Sequence, residues 1–368
     1  ALGLMLIWES LGTLISAHVV RIGKDMLRTP TRRGWALTAP VMAVAFVPLF
    51  GNWYSATRTG DTTARDFAHD LLNSVEPYGV LVTLGDNDTF PLWYAQEVEG
   101  IRKDVVVANT SLLNTEWYVR QLIRQAERPF DSTSAPPLWT GKAWRFPQSP
   151  LVRWSLDDAD RVPPIQQVTE RSVFEAPGIR AEIEPRILTK AELFVLQMIR
   201  DSADRPIYFS RTVGGFAHDL GLGPYLLTQG LARKLLRHIP TPGADTVLYP
   251  GEGFVDLDTT ARLWKDVYKA PRSLIARDRW IDGPSANIPA VYLSTGVMLA
   301  DILRAKNDRA QAESVLAVTD SVARATRLNY WFNIPLPSET PGFMPADTLQ
   351  RGTIPLAPES TRRGDKSR

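Results

Sequence analysis

The chain of 368 residues contains no cysteine. Disulfides, thiolate nucleophiles and cysteine metal sites are therefore excluded, a composition compatible with an oxidising compartment without proving one. Histidine is scarce. His18, His69, His218 and His238 are scattered without the paired spacing of a metal site, which argues against a zinc enzyme. Neither sign of charge dominates, with 42 Lys and Arg against 40 Asp and Glu, and a net charge of +2 argues against nucleic acid as a partner. The G-x-G-x-x-G and P-loop patterns are both missing. Finally, Trp35 to Tyr54 lacks any charged side chain over about twenty residues, the length that spans a bilayer.

That stretch has aromatic residues at its ends, Trp35, Trp53 and Tyr54, where interfacial belts lie. Before it, Arg21, Lys24, Arg28, Arg32 and Arg33 face one acid, Asp25, which places residues 21–34 in a cytoplasmic loop and everything after Tyr54 outside the cytoplasm. Residues 1–20 read as the exit end of an earlier span, so residues 1–56 form the end of a membrane region and the chain reads as part of something longer. A signal peptide is the competing reading, although no small-x-small cleavage site precedes the polar region.

Length allows two or three domains, and 44% hydrophobic content is ordinary for a folded protein. The most informative segment is Gly79 to Glu116. Val80, Leu81, Val82 and Leu84 form one apolar run of strand length, Val105 to Ala108 a second, and a helix lies between them. Pro91 suits that helix's first turn, Asp88 or Thr89 can cap it, and Gly100 can end it. In a parallel crossover both loops leave the same sheet edge, where open α/β folds bind ligands. Asp86, Asn87, Asp88 and Thr89 then face Asn109, Thr110, Ser111, Asn114, Thr115 and Glu116. Such a crevice suits a hydroxyl-rich ligand or a hard cation; the same residue types also cap helices and close Asx-turns, so turn chemistry alone accounts for them equally. Trp93 and Tyr94 can stack on sugars or can be core.

Around this unit, Asp61 to Val75 reads as an amphipathic helix, and Pro206 to Ser210 as a third strand of the same sheet. Pro129 to Pro185 is proline-rich and irregular, anchored by Trp139, Trp144 and Trp154. Thr189 and Glu192 fit a capping box opening a helix to about Ala203. Arg211 to Gly223 is glycine-rich before a helix expected near Pro224. That loop could cradle a phosphate, with Arg211 and His218 as its side chains, or be plain punctuation. Ile288 to Arg327 offers two helices broken at Lys306-Asn307-Asp308, a tetratricopeptide-like hairpin that serves protein docking or capping. The tail, residues 335–368, is rich in Pro, Ser and Arg and reads as disordered.

The run Gly85 to Gly100 (GDNDTFPLWYAQEVEG), then Arg102, Asp104 and Asn109 to Tyr118 (NTSLLNTEWY), resembles a family of bacterial multi-pass membrane proteins long carried as a domain of unknown function. The family is related to the animal transmembrane O-mannosyltransferase that modifies receptor ectodomains. The resemblance implies a GT-C type glycosyltransferase with a polytopic amino-terminal half and a lipid-phosphate-linked sugar as donor. It further implies an extracytoplasmic carboxy-terminal half, at the inner membrane, meeting a protein or glycan acceptor. The acidic catalytic residue of such enzymes lies in an early loop upstream of this chain, so no catalytic residue is assigned here. The fold expected is α/β: a membrane-spanning helix (35–54), an extracytoplasmic parallel-sheet, Rossmann-like domain (61–250) and a tetratricopeptide-like hairpin (285–330). Two other classes stay open. One is a membrane-anchored binding or scaffold module without catalysis. The other is a metal-dependent transferase or hydrolase using a divalent cation at Asp86, Asp88 and Glu116.

Charge asymmetry around residues 35–54 makes topology testable in a chain free of native cysteine. Cysteines introduced at Lys24 and Asp61 should label oppositely on intact cells, an impermeant thiol reagent reaching position 61 and missing position 24. Labelling at position 24 alone would reverse the orientation.

Overall fold

The structure is a computed structural model that describes residues 2–22, 24–278 and 283–328. It divides between Asp61 and Thr62 into two compact units. The expected disordered tail, and residues 329–330 of the expected hairpin, lie outside the described residues.

In the first unit a helix Leu2–Ile15 is followed by strands β1 (Ala17–Ile22) and β2 (Asp25–Pro30), then by helix Arg32–Thr38, a 3₁₀ stretch Ala39–Ala45 and helix Phe46–Ala56. Two expectations change here. Residues 17–20 do not continue a span, and residues 21–34 are not a plain loop, because β1 and β2 pair antiparallel from Ala17↔Pro30 to Ile22↔Asp25. Val19, Val20 and Ile22 are β-branched and favour this extended pairing. The flanking helices approach closely at glycine. A Cβ on Gly34 would lie 2.5 Å from the Gly12 carbonyl oxygen. Thr31 caps the second helix through the Gly34 N–H.

Arg32–Trp53 is long and apolar enough to cross a membrane, with mean hydropathy 1.6 and only 11% of it buried. Val47, Phe50 and Trp53 are exposed along it; the Tyr54 side chain lies outside the described set. Asn287–Ala305 passes the same test at 1.3, but 67% of it is buried in protein.

The second unit is built on strands β3 (Val80–Thr83), β4 (Val106–Asn109), two small antiparallel pairs, and a run of later strands. The pairs are β5 (Ile165–Val168) with β8 (Arg186–Thr189) and β6 (Ser172–Ala176) with β7 (Ile179–Ile183). The later strands are β9 (Ile207–Ser210), β10 (Leu226–Gln229), β11 (Ala232–Leu235), β12 (Thr246–Tyr249) and β13 (Gly253–Asp256). Seven of these make one sheet in the order β12-β13-β10-β11-β9-β3-β4. It is mixed, not parallel throughout. β9, β3 and β4 are parallel; β11 turns back against β9, because Gly230 (φ 60) makes a short antiparallel return from β10.

Alternate residues of the parallel strands serve two cores. Leu81, Val107 and Tyr208 face helices Thr63–Asn73, Asp86–Glu97, Ala270–Arg277 and Asn287–Ala305. Val80, Val82, Val106, Ala108, Ile207 and Phe209 face helices Glu116–Arg124 and Lys190–Asp201. Both faces being covered is why these strands read as unbroken apolar runs. The stretch 129–185 does contain regular structure, β5 to β7, which its proline content masked; Pro177-Gly178 is the β6–β7 turn, with Gly178 at φ 74. Its tryptophans do anchor it, the buried Trp139 Nε1 donating to Asn73 O at 2.8 Å and Trp154 lying edge-on to Phe194. The capping box forms as expected, both halves present, over helix Lys190–Asp201.

Helices Asn287–Ala305 and Arg309–Thr326 form the expected hairpin, broken at residues 306–308. Gly296 lets it close, since a Cβ there would meet Thr319 Oγ1 at 2.0 Å and Trp264 at 2.8 Å. The hairpin is joined to the α/β core through Asp70, which is fully buried. Its carboxylate accepts from Lys269 N at 2.8 and 2.9 Å, Ala270 N at 2.9 Å and Tyr292 Oη at 2.8 Å, with His69 Nδ1 at 3.1 Å. It thereby caps helix Ala270–Arg277 from a different helix. Burial pushes the Asp70 carboxyl above its usual range, and these hydrogen bonds pull back only part of the way.

Asp70→Ala should cost about 3 kcal/mol, because it strands one buried N–H group, one part-buried N–H group and a buried phenol. Urea unfolding of the full chain should show this. A loss within about 0.5 kcal/mol, the usual range of a surface substitution, would refute a linchpin role.

Candidate functional site

The segment after β3 bends on Gly85, at φ 73 and ψ −170, a conformation open essentially only to glycine. Helix Asp86–Glu97 therefore starts earlier than the expected Asp88 or Thr89 cap allows, and Pro91 sits inside it. Asp86 and Asn87 are exposed at the helix start; Asp88 and Thr89 turn inward. Among the described residues no side-chain hydrogen bond caps this end, whose N-cap is Gly85. Gly100, at φ 73, does close the far end, where Ile101 N donates to Ala95 O at 2.9 Å.

The β3 and β4 loops do share one sheet edge, but they close on each other. Asn109 Nδ2 donates to Gly85 O at 2.9 Å and Thr89 Oγ1 at 2.7 Å, while its Oδ1 accepts Leu112 N at 3.0 Å. Thr83 and Thr89 hydroxyls meet at 2.8 Å, and Thr110 Oγ1 donates to Thr83 O at 3.0 Å. Asn109 and Thr89 are thus structural. Asn114 is a brace as well, donating to Thr110 O and accepting Ala191 N at 3.2 Å.

What the sequence reading missed lies on the other side of β3. Chain order runs β3, β4, β9, whereas β3 lies between β4 and β9 in space, and the two crossovers run over opposite faces. The carboxyl ends of β3 and β9 are therefore a topological switch point, the place where open α/β sheets bind ligands. Asp88 crosses that gap. Its Oδ2 accepts Ser210 Oγ at 3.3 Å and a short bond from Thr212 Oγ1. Only hydroxyls answer this carboxylate, and no ion pair reaches it among the described residues. Burial raises its pKa, the Thr212 and Ser210 hydroxyls offsetting part of the rise. A buried charge without a cation is a recurrent mark of a functional site. Hydroxyl residues on both sides of Arg211, at a strand's carboxyl end, were the available signal for Ser210 and Thr212.

The remaining candidates disperse. Arg211 points to Glu252 at 3.0 Å, which Arg233 also holds at 2.9 Å, and to Thr295. Burial would raise the Glu252 carboxyl, but the two arginines overcome this and hold it low. The helix expected near Pro224 is a single 3₁₀ turn, Gly223–Tyr225, leading into β10, and the one before it, Phe216–Asp219, has four residues. No helix terminus is thus available there for phosphate, and His218 is exposed. Trp93 is half-buried against Phe90 and Tyr118, Tyr94 is exposed, and Glu116 is exposed in the first turn of its helix. Among the described residues no three of His, Asp and Glu gather as metal ligands, so Asp86, Asp88 and Glu116 do not form the cation site considered above.

A family model described as TMEM260-associated domain 2 matches residues 64–168. The matched stretch contains Asp86, Asp88 and the β3–helix–β4 crossover. Searches of curated proteins and of solved structures find no match.

A carboxyl with a raised folded pKa binds more protons folded than unfolded, so its contribution to stability falls as pH rises from the unfolded value, about 3.9, through the folded one. Asp88→Asn keeps an acceptor for Thr212 and removes the charge. It should raise the unfolding temperature at pH 7, with the gap from the parent shrinking towards pH 4. A gap independent of pH would show that Asp88 carries no unfavourable buried charge.

Proposed function

We propose that this chain is the carboxy-terminal part of a membrane glycosyltransferase of the TMEM260-related kind. Its second unit recognises the acceptor, protein or glycan, outside the cytoplasm, while residues 35–54 cross the inner membrane. A lipid-linked sugar is the donor, used by a catalytic half upstream. The observation carrying this reading is Asp88, a buried carboxylate without a cation at the switch point, inside the stretch matched by the family model. Exposed Asp86 and Asn87 at the same helix start supply further oxygens for acceptor hydroxyl or amide groups. The exposed Val44, Phe46, Val47, Leu49, Phe50 and Trp53, on a stretch long and apolar enough to cross a membrane, support a membrane location.

Asp86→Ala tests the site without touching a cap. Surface substitutions of this kind cost within about 0.5 kcal/mol, so thermal stability should hold while acceptor binding and transfer by the full-length membrane protein drop at least several-fold. A variant with undiminished transfer would remove Asp86 from the acceptor site.

A further inference from the structure

β4 ends the seven-stranded sheet, so its outer N–H and C=O groups have no strand partner. Side chains answer several of them. The Tyr118 hydroxyl donates to Val107 O at 2.9 Å and accepts Asn109 N at 3.1 Å, and burial pushes this phenol's pKa up to about 12. Gln96 Nε2 donates to Val105 O at 2.7 Å. Side chains thus plug part of this edge.

Beside the plugged edge lies a cavity of about 720 Å³ between helices Asp86–Glu97 and Glu116–Arg124. Trp93, Trp117 and Tyr118 supply aromatic surface, Gln121 and Gln125 amides, and Arg124 and Arg128 positive charge. Trp117 is 55% exposed, an indole facing solvent where burial gives it little reason to be. The cavity's only acid, Glu97, is taken by Lys103 at 3.7 Å. Arg124 and Arg128 have no carboxylate partner among the described residues, so the cavity carries uncompensated positive charge. Aromatic faces suit the C–H faces of a sugar ring, planar amides suit its hydroxyls, and guanidinium forks suit a carboxylate or phosphate.

We propose that this groove is a subsite for a sugar residue bearing one anionic group. It is separate from the Asp88 switch point, and it stands whether or not the acceptor reading of that point holds. Titration calorimetry on the purified full-length chain, with glucose 6-phosphate, glucuronate, glucose and inorganic phosphate as probes, tests it. One of the two anionic sugars should bind about tenfold or more tighter than glucose and than phosphate, because stacking and ion pairing then act together, and tenfold is about 1.4 kcal/mol. Preference for glucose 6-phosphate names phosphate as the anion; preference for glucuronate names carboxylate. Trp117→Ala should reduce the anionic sugar to the level of phosphate, and the Arg124→Gln, Arg128→Gln pair should reduce it to the level of glucose. All three positions are exposed, so the fold should survive. Equal binding of phosphate and sugar phosphate would mean an adventitious ion only. That result, equal binding of glucose and the anionic sugars, or no binding at all, would overturn the proposal.

Discussion

The Asp70 carboxylate holds together segments that are 199 to 222 residues apart in sequence. A buried charge is tolerable only when every lone pair is answered, and here two backbone N–H groups, a phenol and a histidine answer it. The same carboxy-terminal end of that helix, Thr63–Asn73, is secured by a second buried charge. Arg102 makes a two-point bridge to Asp104 at 3.0 Å and donates to Leu72 O and Val75 O at 3.0 and 2.8 Å. Asp104 in turn accepts Tyr78 N at 2.9 Å, just before β3 begins. The helix is thus pinned to the crossover on one side and to the helical hairpin on the other.

Set against these two, Asp88 is a different kind of buried acid. Asp70 and Asp104 are met by backbone N–H groups or a guanidinium, whereas Asp88 is met by two hydroxyls. A hydroxyl stabilises a carboxylate less than a cation does, so the fold keeps an electrostatic cost at the switch point, where burial raises the Asp88 carboxyl. Costs of that kind persist where a site needs them.

Tyr118 shows how one residue of the matched stretch can serve architecture while its neighbour faces outward. Its hydroxyl closes the sheet edge, and Trp117 beside it stays exposed on the groove. Successive positions on a helix point about a quarter-turn apart, which separates the two roles. The matched stretch therefore contains both residues that build the fold and residues left exposed.

The amino-acid sequence by itself determined what local pattern can carry: β3, β4 and β9 as apolar runs, the capping box at Thr189 and Glu192, the helix break at residues 306–308, and a long uncharged stretch near the amino terminus. Each follows from hydrophobic period, cap chemistry or charge counting within a short window. Tertiary structure decided the rest. Whether Asn109 and Thr89 line a crevice or tie one shut depends on partners about twenty residues away. Asp88 meets Ser210 and Thr212 across 122 and 124 residues. The sheet became mixed because β11 folded back on β9, and Arg211 was drawn to Glu252, 41 residues on. Periodicity records which face of an element is buried, not which other element buries it, and the chemistry of this site is set by that second choice.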